Sequence, residues 1–217
     1  MCGRVVCYSS LEEMGAALGA TPDAIAQQVF HPSYNIPPSQ PLPMVFQSGG
    51  DRHLTLARWG LLPHWAKDES LAFKTFNARA ETVREKASFK NAFKSRRCLI
   101  PVNGYYEWQR QGKSKIPYYF SRQDGEVLAI AGLFELWKEE LLTCTVITTE
   151  ANEMAGEIHD RMPVVLPEVE WQTWLEASPD EAYGVLKPAP EGLLSKYQVD
   201  AAVNNAKTEG AELIAPL

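Results

Sequence analysis

The sequence predicts an α+β fold: one domain over residues 1–217, built on a curved or barrel-like, mostly antiparallel β-sheet with short flanking helices. Three observations carry this expectation. Short apolar runs of strand-forming residues recur along the chain, bounded by glycine and proline turns. The helical patterns between them are brief. There is no glycine-rich phosphate loop and no regular β-α-β alternation, so neither a Rossmann nor a P-loop architecture has support.

In order, Ser10-Leu11-Glu12-Glu13 reads as a capping box that starts a short helix with Met14 and Leu18 on its buried face. Residues 31–41 follow, rich in proline; fixed φ angles and missing donors make them an ordered extended loop. Strands are expected over 43–47 and 53–59, joined by a Gly49-Gly50-Asp51 turn. Trp59–Trp65 is an apolar, aromatic loop, and basic helical segments run up to Lys94. Cys98–Trp108 reads as one buried strand. More strands are expected at 117–121, 127–136 and 142–149, then a helix at 152–158 and a strand at 163–166. Trp171, Trp174 and Leu175 have the spacing of a helix face packed on the core, and 197–203 reads as a last strand.

A chain of 217 residues fills one domain, or at most two small ones. Its 45% hydrophobic and 22% charged residues are those of a globular protein. No apolar run approaches the ~20 residues that span a bilayer. Glu12 and Glu13 arrive before any signal-like stretch, so a cytoplasmic protein is expected, nucleoid-associated in a bacterium, with no membrane partner. Cys2, Cys7, Cys98 and Cys144 lack paired C-x-x-C spacing, so neither a metal nor a disulfide framework is expected, and no cofactor. The net charge of −6 argues against a generic nucleic-acid binder, yet it is uneven. Residues 1–110 carry 13 basic and 9 acidic side chains; residues 111–217 carry 8 and 18. Within 74–97 there are 8 basic and 2 acidic residues, a patch that can bind phosphates or simply form a solvated face.

Met1-Cys2-Gly3-Arg4 is the most informative tetrapeptide. Removal of Met1 would leave an α-amino group, with a pKa of about 7.7–8.0, beside a thiol of about 8.5. Such a pair attacks an aldehyde twice, first as amine to give an imine, then as thiol to close a five-membered ring. It can also act as an N-terminal nucleophile in acyl transfer, or Cys2 can be a small buried residue and no more. Three other polar positions stand in unusual surroundings. Asn77 lies in an apolar stretch after Phe76. Glu107 sits among Tyr105, Tyr106 and Trp108, where desolvation suits a carboxyl to acid–base work near neutrality. His159 stands beside Asp160 and Arg161 at a corner before proline.

Together these segments resemble one family. Met1-Cys2-Gly3-Arg4, Tyr34–Pro38, Trp59–Pro63, Asn77–Thr82, Arg97–Pro101, Gly104–Trp108, Thr148–Asn152, His159–Pro163 and Val203-Asn204-Asn205 occur in the order found in SOS response-associated peptidase (SRAP) proteins, which crosslink to abasic sites in single-stranded DNA. The resemblance implies that Cys2, freed of Met1, forms a thiazolidine with the ring-opened abasic sugar. It implies that Asn77 fixes the amine or sugar, Glu107 shuttles protons and His159 is a second acid–base group. Arg4, Arg79 and Arg161 would hold phosphates, with Arg84 and Pro38 also on the DNA-binding surface. Leu62, Pro63 and Trp65 would form a wedge that stacks on bases without regard to sequence. His64 departs from the family's second aromatic there. Associated abasic-site lyase and self-processing activities are further implications. A monomer acting on abasic single-stranded DNA is expected.

Three other readings remain beside it. A cysteine peptidase would use Cys2 as nucleophile and His159 as base. A class II glutamine amidotransferase also begins Met-Cys-Gly, but the other eight segments would go unexplained. A non-catalytic single-stranded DNA module would leave Cys2 incidental.

Overall fold

The computed structural model describes residues 2–217; Met1, whose removal the opening tetrapeptide invites, lies outside them. The strands are β1 (Val5–Cys7), β2 (Ala20–Pro22), β3 (Ser33–Ile36), β4 (Pro41–Ser48), β5 (Asp51–Trp59), β6 (Asn77–Arg79), β7 (Arg97–Val102), β8 (Gly104–Gln111), β9 (Ser114–Arg122), β10 (Leu128–Trp137), β11 (Leu141–Glu150), β12 (Arg161–Pro163) and β13 (Leu194–Gln198). The helices are α1 (Leu11–Leu18), α2 (Ala24–Val29), α3 (Lys90–Ser95), α4 (Glu153–Gly156), α5 (Glu168–Glu176) and α6 (Pro179–Gly184).

Two sheets result, mostly antiparallel, which makes the chain a mixed α+β domain as its sequence predicts. In the larger sheet β11, β10, β7, β4 and β5 pair in turn, and β5 returns to β11 through Thr143–Arg58 and Cys144–Trp59. The ring is therefore closed, and closure leaves its members no free edge. Buried residues on both faces of its strands, among them Val45, Leu54, Leu99, Ile100, Ile130 and Val146, belong to one continuous core. Short β6 lies parallel to β11, with Asn77 opposite Val146 and Arg79 opposite Thr148. The smaller sheet has the order β13-β9-β8-β1-β3. Its β3 edge is blocked: the Glu209 carboxylate accepts from the Tyr34 backbone N–H at 2.9 Å and from the Ser33 hydroxyl at 2.6 Å.

Local chemistry sets most boundaries where the sequence places them. The Ser10–Glu13 capping box is present at the start of α1, and Met14 and Leu18 are buried beneath it. Gly19 ends that helix at φ 62, a left-handed conformation that glycine adopts without steric cost. Trp171, Trp174 and Leu175 all face inward from α5. Four expectations need correction. The 31–41 loop contains a strand, β3, because only its first and last parts carry the prolines. The basic stretch before Lys94 is mostly turns and 3-10 helix, with α3 its one α-helix. The last strand is 194–198, and 201–204 is 3-10 helix.

The fourth correction matters most for function. Cys98–Trp108 is two strands in two different sheets, hinged at Asn103. Asn103 Oδ1 accepts from the backbone N–H groups of Tyr8 and Ser9 at 2.8 and 3.0 Å, so the turn is locked to the chain after β1. Gly104 begins β8 pressed against β9, where a Cβ would stand 2.4 Å from the Phe120 carbonyl oxygen. A side chain cannot fit there. Arg97, at the start of β7, is buried and donates to the carbonyls of Trp174, Ala177, Phe93 and Lys94, closing the C-terminal ends of α3 and α5.

We expect Gly104→Ala to cost about 1–3 kcal/mol through overpacking, or roughly 2–12 °C in Tm for a chain of this size. Thermal unfolding of both proteins measures it, and an unchanged midpoint would mean that β8 and β9 separate freely.

Candidate active site

The hinge at Asn103 aims β8 across the N-terminal segment. Val5 of β1 pairs with Tyr105 of β8 on one side and Ile36 of β3 on the other. Side chains alternate along these strands. Val5 and Tyr105 face the main core that also contains Cys2, whereas Val6 and Tyr106 face a second cluster with Tyr119, Val199 and Val203. Glu107, two residues beyond Tyr105, lies on the Cys2 side. Cys2 is fully buried.

Asn77 reaches this point from the other sheet. Its β6 is held by Val146, whose N–H donates to the Phe76 carbonyl at 3.1 Å, and by the Trp59 indole, which donates to the same oxygen at 2.7 Å. From there Asn77 Nδ2 donates to the Cys2 carbonyl at 2.6 Å. Asn77 Oδ1 is buried without a hydrogen-bond partner among the described residues. The site thus sits on the seam between the closed ring and the smaller sheet.

Burial dominates its electrostatics. It pushes the Cys2 thiol well up, and the Glu107 carboxyl adds to this; the Arg4 backbone N–H pulls the other way. Burial also pushes the Glu107 carboxyl above the ordinary carboxylate range, opposed in part by His159. Glu107 is 4% exposed. His159 is half-buried at the corner between α4 and β12. Its Nδ1 accepts from the Arg161 backbone N–H at 3.0 Å and lies 3.0 Å from Asp160 Oδ1. Cys2, Asn77, Glu107 and His159 are therefore one connected group.

The cations divide differently from the sequence expectation. Arg79 is exposed, two residues from Asn77 on β6, and its guanidinium makes no hydrogen bond among the described residues. Arg4 is half-buried: Nη1 donates to Asn35 Oδ1 at 2.5 Å and to the Val203 carbonyl at 3.0 Å, and the guanidinium lies over Trp108. Arg161 grips both Glu81 oxygens at 2.6 and 3.0 Å and donates to the Thr148 carbonyl. Arg84 pairs with Asp180 and packs on Tyr183 of α6, apart from the Cys2 group. The patch at 74–97 is weaker than its composition, because Arg84, Arg96 and Arg97 are all engaged within the fold.

The aromatic loop is corrected too. Leu62 is fully buried and Pro63 is buried, so neither offers a surface for stacking; Leu62 packs with Ala66, Ala72 and Trp137. Trp65 is the member that reaches solvent, 48% exposed. Phe73, on the 3-10 helix 69–74 above the same cluster, is 64% exposed. Its sequence context, Ala72-Phe73-Lys74, held no periodicity that marked it as outward. Pro38 is half-buried in the turn after β3. Asn35 also went unread: fully buried, it accepts from Arg4 and donates to the carbonyls of Asn205 and Thr208.

Among the described residues no group of His, Cys, Asp and Glu is arranged to hold a metal ion, and no helix is long and apolar enough to cross a membrane.

Comparison with known proteins gives this geometry a context. The chain is 39% identical to "Abasic site processing protein YoqW" of Bacillus subtilis (strain 168), with 99% of each chain covered. It is 32% identical to "Abasic site processing protein HMCES" of Xenopus tropicalis, covering 87% of this chain and 67% of that one. An X-ray structure of a protein from Bacteroides thetaiotaomicron superposes with a TM-score of 0.90 at 27% identity, over the whole of both chains. The family model described as SOS response associated peptidase (SRAP) matches residues 1–206, and the chain belongs to that family.

Proposed function

We propose that this protein recognises abasic sites in single-stranded DNA and crosslinks to them through Cys2 once Met1 is removed. The Asn77–Cys2 hydrogen bond carries the reading, because it fixes the backbone of the reacting residue from outside its own sheet. Relatives that bear the name abasic site processing protein support it.

In this reading the Cys2 amine attacks the C1′ aldehyde of the ring-opened sugar. The carbinolamine loses water to give an imine, and the thiol then adds across the C=N bond to close a thiazolidine. Asn77 Oδ1, buried and unpartnered, accepts from the amine. Glu107 gives a proton to the departing hydroxyl and later takes the thiol proton. Burial suits it to both, since a carboxyl with a raised pKa keeps some of each form nearer neutrality. His159 serves the sugar oxygens. Arg79 holds a flanking phosphate, and Trp65 stacks on a neighbouring base. Phosphates reach Arg4 and Arg161 in competition with Asn35 and Glu81. The peptidase reading is weaker, because a fully buried thiol with a raised pKa is a poor nucleophile toward an external protein chain.

Mass spectrometry of the intact protein after incubation with abasic single-stranded DNA should show loss of Met1 and a stable adduct without borohydride. Intact DNA should give none. An equally stable adduct from Cys2→Ala would overturn the thiazolidine.

For Glu107→Gln we expect slower crosslinking with little change in DNA affinity; equal losses in both would make Glu107 structural. Its pH signature has a definite sign. A folded-state pKa above the unfolded value means that the folded protein holds the proton more tightly. Stability is therefore lost as pH rises from the ordinary carboxylate value through the folded one. Glu107→Gln removes that loss, so the Tm of the variant relative to wild type should rise as pH increases above the ordinary carboxylate value of about 4.3.

Arg79→Ala should weaken DNA binding and flatten the slope of log K against log salt by about 0.7 for one lost phosphate contact on a single strand. An unchanged slope would remove Arg79 from the DNA path.

A further inference from the structure

The smaller sheet presents further polar side chains on the face that carries Glu107. Alternation puts Tyr105, Glu107 and Gln109 on one face of β8. Tyr105 is paired with Phe120 of β9, and Phe120 with Lys196 of β13, so Lys196 stands on that same face two strands away. Its neighbours agree with this placement: Leu194 is buried in the main core, whereas Tyr197 packs on the second cluster behind the sheet. A lysine is rarely taken far from water unless its charge is paired. The Lys196 side chain is only 14% exposed.

Lys196 and Gln109 both end on the segment that carries His159. Lys196 Nζ donates to the Met154 carbonyl at 2.5 Å and pairs with Glu157 Oε2 at 2.6 Å. Gln109 Nε2 donates to the Glu157 carbonyl at 3.0 Å. These bonds occupy acceptors at the C-terminal end of α4, a helix of four residues with little stability of its own. His159 hangs from the same end, because its backbone N–H donates to the Ala155 carbonyl at 3.0 Å. Between this turn and β8 lies a cleft lined by Trp108, Gln109, Arg110 and residues 157–160. The sheet thus grips the turn from two strands, β8 and β13, and that grip sets how far His159 stands from β8.

We propose that Lys196 is a positioning residue for this site: together with Gln109 it pins the α4 turn to the smaller sheet, and so fixes His159 across the cleft from the strand that carries Glu107. The proposal rests on the crosslinking reading above and adds to it how the second acid–base group is held. Lys196 does not itself touch the reacting atoms; it acts through the backbone from which His159 hangs. A proton donor or acceptor works only within hydrogen-bond reach of the atom it serves. Displacement by about 1 Å can cost roughly 100-fold in rate. A single helical turn cannot supply that precision alone. An ammonium that bonds the turn at two points can, and both bonds are strengthened by its charge. Arginine keeps the charge and the donors, whereas methionine keeps only the apolar stem.

A double-mutant cycle with abasic single-stranded DNA tests this. Lys196→Met, His159→Ala and the double variant are compared with wild type by the rate of borohydride-independent adduct, by affinity in fluorescence anisotropy and by Tm. For Lys196→Met we expect unchanged affinity and crosslinking slowed roughly tenfold, part of the about 100- to 10,000-fold that an acid–base group supplies. In the His159→Ala background the same change should leave the rate where it is, although Tm falls by as much in both backgrounds. Lys196→Arg should recover most of the wild-type rate. If Lys196→Met does not fold, Gln109→Ala, which removes the other grip, takes its place in the cycle. Equal slowing with and without His159 would assign Lys196 to general stability and overturn the proposal. So would a wild-type rate in Lys196→Met. If His159→Ala crosslinks as fast as wild type, the proposal falls while the crosslinking reading stands. If the wild-type protein forms no borohydride-independent adduct, the crosslinking reading itself fails, a result separable from the others.

Discussion

The hydrogen bond from Asn77 Nδ2 to the Cys2 carbonyl is the constraint on which the site depends. Cys2 precedes a strand of only three residues, β1, in the smaller sheet. Asn77 belongs to an equally short strand docked on the closed ring. Neither element is long enough to define a position alone. The ring supplies rigidity through closure, β11 passes it to β6, and Asn77 carries it across the seam. In the proposed crosslinking reading this matters, because a residue that frayed, as chain ends usually do, could not hold an amine and a thiol against one carbon. Here the backbone on either side of the bond is fixed, and Cys2 is buried rather than loose.

Burial has a second consequence. Cys2, Tyr105 and Glu107 are all taken from water on one face of β8, and each is pushed toward its neutral form by that burial. A neutral thiol, a neutral phenol and a carboxyl able to exist in either form are a poor set for an exposed nucleophile. They are a suitable set for a reaction that begins with an amine and an aldehyde and needs protons moved in both directions. A polar atom without a partner belongs to the same argument. Asn77 Oδ1, beside Cys2, is buried without a hydrogen-bond partner among the described residues. In the proposed reading its partner is the substrate-attacking amine.

Much of this was legible in the sequence, for reasons that differ by residue. Cys2, Asn77, Glu107 and His159 stood out because each is a polar or reactive group in apolar or constrained surroundings, and such contrast is a one-dimensional signal. The closed ring was legible as many short strands, and α1 as a capping box. The break at Asn103 was not, because an apolar run crossing from one sheet to another has the same composition as a single buried strand. It takes the close approach of Gly104 to Phe120 to expose the hinge. Tyr105 was visible as part of a motif, but its unsatisfied hydroxyl exists only relative to partners distant in sequence. Leu62 and Pro63 failed as wedge residues for a similar reason. An apolar loop has two faces, and only the cluster beneath it decides which residues turn inward.

Charge shows the same limit most clearly. The arginines count equally in composition, but the fold uses them unequally. Arg97 is consumed by four carbonyls at two helix ends, and Arg161 by Glu81 and Thr148. Arg4 joins Asn35 to the C-terminal segment through Val203, which binds the chain beside Cys2 to a strap nearly two hundred residues away in sequence. A phosphate approaching Arg4 or Arg161 must share or displace a hydrogen-bond partner already in place, whereas the Arg79 guanidinium makes no hydrogen bond among the described residues, although Glu81 lies near enough to feel its charge. In the proposed reading the attraction for a nucleic-acid backbone is therefore concentrated on β6, two residues from the asparagine that fixes Cys2. In the proposed reading, the strand that fixes Cys2 also carries the cation that would hold the substrate beside it, so a single short element would couple binding to geometry.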